Sequence, residues 1–138
     1  MALRALTRRE HTEQELRRKL CRYAEDDLVL QVVRSLREQN LQSDERFASA
    51  YIRYRSERGY GPIRIEAELR ERGVAAEIIS VSLAEVIIDW FALTDKVRRK
   101  RFGVDLPNDY SQRAKQMRFL QYRGFDGEQI KAAVMGME

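Results

Sequence analysis

Apolar residues recur along this chain at intervals of three and four, the spacing that turns one face of a helix toward a core. Strand-like alternation is scarce, and the pattern with its punctuation predicts nine helices in 138 residues. The first is short, about Ala2 to Arg9. Thr12 with Glu15 reads as a capping box that opens the second, where Leu16 and Leu20 face inward. The third runs from about Asp26 to Glu38, with Leu28, Val29, Val32, Val33 and Leu36 in one stripe and Asn40 as its stop. Ser43 caps the fourth, whose buried face is Phe47, Ala48, Tyr51 and Ile52, and Gly59 supplies the left-handed residue that closes it. Pro62 suits the first position of the fifth, Ile65 and Leu69 face inward, and Gly73 ends it. The sixth covers about Ala75 to Val86, with Ile78, Ile79, Val81, Leu83, Val86 and Ile87 apolar. Asp89 caps the seventh, Trp90 to Phe102, closed by Gly103. A loop with Pro107 follows, then an eighth helix that begins at Asp109 or Ser111 and ends at Gly124. Asp126 with Gln129 resembles a second capping box, for a ninth helix over Gly127 to Met135.

A phrase repeats through these elements. Arg58-Gly59-Tyr60 and Arg123-Gly124-Phe125 both follow an aromatic-bearing helix and precede a short amphipathic one, and Arg9-Glu10-His11 is a degenerate copy. The downstream apolar spacing matches in all three: His11, Leu16, Leu20; Tyr60, Ile65, Leu69; Phe125, Ile130, Val134. Such self-similarity predicts an array of small helical units that lean on their neighbours and offer an extended binding surface. The expected fold is all-α, with boundaries at 1–40, 41–88 and 89–138. The register of the last unit is open, because its phrase falls between the eighth and ninth helices. Either a helix is inserted there or the final unit lacks its third helix.

Charge sharpens this picture. Lys and Arg number 26 against 22 Asp and Glu, a net +4, but the sign is unevenly spread. Residues 96–123 carry nine basic and two acidic side chains, whereas residues 73–95 carry four acidic and none basic. The alternation tracks the repeat, so basic helices are expected to line one side, although solvated faces carry such charges as well. One cysteine, Cys21, excludes an intrachain disulfide and fits a reducing compartment. It is expected to be half-buried and inert. The single histidine, His11, reads as hydrogen-bonded or exposed rather than catalytic. No apolar run is long enough to span a bilayer, no secretion-type leader is visible, and a cytoplasmic location is expected. Metal-ligand spacing and a phosphate-cradling loop are both missing, so neither a cofactor nor catalysis is expected.

Two stretches interleave basic and aromatic residues, Tyr51 to Tyr60 and Lys115 to Phe125, and the run Lys96 to Phe102 is the densest positive patch. Guanidinium groups there can meet phosphates or carboxylates. The candidate partner- or DNA-binding residues are Arg53, Arg55, Arg58, Arg64, Lys96, Arg98, Arg99, Lys100, Arg101, Lys115, Arg118 and Arg123. Tyr51, Phe119 and Phe125 are assigned to the core.

Ordered blocks of the chain resemble the RecX family, bacterial regulators of the RecA recombinase. They are Thr12 to Leu20, Ser43 to Ala48, Arg55 to Leu69 with Gly73, Asp89-Trp90 with Ala92-Leu93, and Arg118 to Phe125. The resemblance implies a curved, elongated molecule of three tandem three-helix repeats, and groups the seventh to ninth helices as the third. It also implies a non-enzymatic role: binding in the groove of the RecA filament on single-stranded DNA and blocking its extension. RecA ATPase, strand exchange and coprotease activity would then decline. Weak direct DNA binding and a monomeric state are expected too. Family members often carry residues before the first helix, whereas Met1 nearly coincides with it here.

Overall fold

The computed structural model describes Ala2 and residues 9–136. Those residues form eight α-helices and no strand. They are α1 (Glu13–Leu20), α2 (Asp26–Glu38), α3 (Asp44–Glu57), α4 (Pro62–Glu71), α5 (Ala76–Glu85), α6 (Trp90–Phe102), α7 (Tyr110–Arg123) and α8 (Gly127–Met135). The expected helix over Ala2 to Arg9 lies almost wholly outside the described residues.

Local chemistry sets the boundaries. At the start of α1 the Thr12 hydroxyl accepts from the Glu15 amide while the Glu15 carboxylate accepts from the Thr12 amide. Asp126 and Gln129 repeat that exchange at α8. The Ser43 hydroxyl accepts from the Arg46 amide at α3, and Asp89 and Asp109 cap α6 and α7. Each satisfies an amide that the first helical turn leaves unpaired.

The chain divides into two compact units. The first comprises Met1–Tyr51 and Glu68–Glu85, and its core gathers Leu16, Leu20, Val29, Val33 and Leu36, with Ala24 and Val32 packed against them. Phe47, Ala48, Leu69, Val74 and Ile79 are also buried. The second comprises Ile52–Ala67 and Val86–Glu138. There α6, α7 and α8 pack on one another around Val97, Leu120, Phe125, Ile130, Ala133 and Val134. Phe125 is 1% exposed, so its ring contributes about 2–3 kcal/mol by burial.

Several apolar residues lie elsewhere than the sequence suggests. In α5 only Ile79 and Ser82 are buried, while Val81 is exposed and Ile87, just past the helix, is fully so. That segment is apolar nearly all round, so its periodicity selects no face. Leu28 is exposed although it shares the expected stripe of α2. Tyr51 and Phe119 are half-buried. Cys21 is exposed rather than half-buried, because it caps the carboxyl end of α1 and its thiol donates to Asp26 at 3.6 Å.

One joint recurs. In the second unit the carboxyl end of α7 docks on the amino end of α4: the Gly61 amide donates to the Arg123 carbonyl (2.8 Å) and the Ile63 amide to the Gly124 carbonyl (2.9 Å). Gly124 has φ +98°, and a Cβ there would collide with Arg64. In the first unit the carboxyl end of α4 meets the amino end of α1, here through a side chain rather than backbone amides. The Thr12 hydroxyl donates to the Arg72 carbonyl at 2.8 Å, and Gly73, at φ +88°, abuts Gln14. Arg72-Gly73 is thus the counterpart of Arg123-Gly124. Both ends close alike, with Val74 donating to Leu69 and Phe125 to Leu120.

Candidate partner-binding cleft

The turn between α3 and α4 and the end of α7 converge within the second unit and concentrate cations around aromatic rings. Tyr60 is the hub. The guanidinium carbons of Arg55, Arg64 and Arg123 lie 3.9, 4.6 and 4.9 Å from its ring centroid. Ring quadrupoles attract such cations, each contact being worth about 0.5–1 kcal/mol at an exposed site. Arg64 also lies over Tyr122 and donates to its carbonyl at 3.3 Å. Arg58 lies over Tyr54. Arg123 donates to the carbonyls of Arg58 (3.2 Å) and Gly59 (3.4 Å), which ties the two Arg-Gly-aromatic turns together.

Beside this hub opens a cleft of about 610 Å³. Five of the expected cations line it: Arg58, Lys96, Lys100, Arg101 and Arg123. Sequence reasoning missed its apolar wall, Ile88, Leu93, Val97 and Phe119, and its one carboxylate, Glu57. The wall was detectable, since Leu93 and Val97, like Lys96 and Lys100, are four residues apart and share a helix face. Phe119 is overlaid by Arg101 and Arg123 at 5.4 and 5.1 Å and meets Phe102 edge-on.

The other candidates are placed differently. Arg53, Lys115 and Arg118 are exposed and do not line the cleft. Arg99 is exposed but pairs with Asp95 at 2.8 Å. Arg98 departs from the expectation of a surface cation, because it is 1% exposed. Its guanidinium turns back under the loop after α6 and donates to the carbonyls of Gly103 (3.4 Å), Val104 (3.3 Å) and Asp105 (3.3 Å), with Asp95 at 3.6 Å. Its charge holds a loop.

Reactive side chains lie outside this region. His11, in the first unit, is 4% exposed, and its Nδ1 meets the Arg9 carbonyl at 3.0 Å. Burial pushes its pKa below the ordinary 6.5. The surroundings of Cys21 and its bond to Asp26 raise the thiol pKa, which disfavours the nucleophilic thiolate. Among the described residues no group of three acidic, histidine or cysteine side chains is placed to hold a metal ion, and no helix is long and apolar enough to cross a membrane.

Fold and site together define a helical-domain protein with a cationic, part-apolar cleft. The second three-helix domain of RecX is recognised over residues 43–83, and the third over 89–134. A protein of Halorhodospira halophila named Regulatory protein RecX is 46% identical over 133 residues, which span 96% of this chain and 83% of the relative. One of the same name from Pseudomonas entomophila is 43% identical over 138 residues, 99% of this chain and 89% of its own. The crystal structure of RecX from Lactobacillus salivarius superposes with a TM-score of 0.83 at 21% identity, over 99% of this chain and 91% of that one, and shares the fold. The chain belongs to the RecX family. The match over 89–134 spans α6, α7 and α8.

Proposed function

We propose that this chain is a non-catalytic regulator that binds the RecA filament on single-stranded DNA, blocks its extension and thereby lowers RecA ATPase, strand-exchange and coprotease activities. Membership of a family whose relatives are named regulatory proteins supports the regulatory role. The observation that carries the binding role is the cleft with five basic side chains and a single carboxylate in its lining. Such a concentration of one sign steers association with a polyanionic nucleoprotein. The exposed cations outside it, Arg53, Lys115 and Arg118, would add weaker phosphate contacts. In this reading the chain acts in the cytoplasm as a monomer of three helical repeats, 1–40, 41–88 and 89–138, and binds bare DNA weakly.

The test is a titration of RecA ATPase on single-stranded DNA. The chain is expected to lower the rate, and Lys100→Glu with Arg101→Glu to shift the inhibition curve about tenfold to higher dose, about 1.4 kcal/mol of coupling. A folded double variant with an unshifted curve removes the cleft from the mechanism. No inhibition by the parent at saturating dose, or tighter binding to bare than to RecA-coated strands, makes the chain a stand-alone DNA-binding module instead.

A further inference from the structure

We infer that the cleft of the second unit receives a short acidic peptide segment anchored by one apolar side chain, a more specific occupant than a run of phosphates. The inference deepens the reading above by naming the chemistry of the protein partner's contact at that site. Three features of the lining support it.

The first is complementarity. Arg101 offers a planar fork that matches carboxylates, Arg58 and Arg123 add guanidinium charge while also meeting Tyr54 and the Arg58 and Gly59 carbonyls, and Lys96 and Lys100 add point charges, against the single lining carboxylate Glu57. The carboxylate on their own helix, Asp95, is engaged by Arg98 and Arg99. Clusters of this kind read acidic motifs. The second is the apolar wall. Ile88, Leu93 and Val97 give a non-polar strip among the cations, and a phosphodiester backbone has nothing to bury against it. An aliphatic or aromatic side chain does. The third is the state of the ring. Stacking of bases on bare aromatic faces is how single strands gain affinity. Phe119, the aromatic in the wall, is instead overlaid by two guanidinium groups and abutted by Phe102. The volume of about 610 Å³ lies in the range of sites for small ligands and short side-chain clusters.

Fluorescence anisotropy with no RecA present tests this. The probe is a fluorescein-labelled peptide of alternating glutamate and leucine. The competitors are polyglutamate of equal charge, the same peptide with glutamine for glutamate, and an oligothymidylate of equal charge. The glutamate–leucine peptide is expected to bind best. Affinity should fall about tenfold in Lys96→Glu and, by loss of the anchor contact, about threefold in Ile88→Ser, with circular dichroism unchanged. Added salt should weaken binding partially, since the apolar contact is not screened. Three outcomes overturn the inference: polyglutamate binding as well as the mixed peptide, oligothymidylate displacing it at equal concentration, or folded variants binding like the parent. Any of these with RecA inhibition intact discards the acidic-peptide occupant and leaves the regulatory role standing. Loss of RecA inhibition with peptide binding intact does the reverse.

Discussion

Arg98 shows how differently neighbouring like charges behave. Four consecutive basic residues, Arg98 to Arg101, read as one patch, yet one of them is sealed beneath the loop it holds. The geometry was legible in principle. Thr94, Val97 and Arg98 are spaced i, i+3 and i+4, the stripe that α6 buries, but charge outweighed period in the reading. Replacing Arg98 with Met should cost about 2 kcal/mol in urea unfolding, because three loop carbonyls lose a charged donor. Arg99→Met should leave the midpoint nearly unchanged, since an exposed i,i+4 ion pair contributes little. Equal losses at the two positions would contradict this division. His11 carries a second residue-level expectation. Burial lowers its folded pKa, so its contribution to stability is present above 6.5 and is lost as pH falls through the lower folded value. Urea midpoints followed from about pH 7.5 down to about pH 5 should decline, and His11→Gln should flatten the slope. Asp44 runs the other way at lower pH. Burial raises its pKa, so protonation near and above 3.8 favours the folded state.

At the level of elements, the punctuation was the most legible part of the sequence. Both capping boxes, the proline at the start of α4 and the glycines ending α3, α4, α6 and α7 stand where they were expected. Caps act within one turn, so four or five residues suffice to specify them. The joints were not legible. Their hydrogen bonds link residues about sixty positions apart, and one of the two glycine ends, Arg72-Gly73-Val74, lacks the aromatic that made the phrase recognisable. Gly124 offers a direct measurement of what the joint demands. Ala at Gly124 meets both a left-handed backbone and a collision with Arg64, and should cost about 2–4 kcal/mol. Gly103 has a similar φ, +91°, but its ψ of 177° lies in a region that glycine alone adopts readily, so Ala there should cost about 1–3 kcal/mol by backbone strain although a Cβ would meet open space. Chemical denaturation checks both values, and a Gly124→Ala midpoint equal to the parent's would mean that the α7–α4 contact imposes no steric limit.

For the molecule as a whole, the two compact units cut across the three-helix domains, since α3 and α4 each contribute to both. A linear reading divides a chain at loops and cannot foresee this. All twelve candidate cations fall in the second unit, which follows from their positions, but only the fold shows that five share a cleft and three surround one tyrosine. The apolar lining stayed hidden because Ile88 and Leu93 look like ordinary core residues, whereas both are only half-buried in the fold. The repeated joint bears on how such a chain can change length. Each fastening pairs a glycine-ended helix with the amino end of another in a single register, and one added residue within a helix would rotate the next position by about 100° and part the hydrogen bonds. A single-residue insertion within the last turn of α4 or α7 is therefore expected to undo a fastening, whereas the loop after α6 stands outside both.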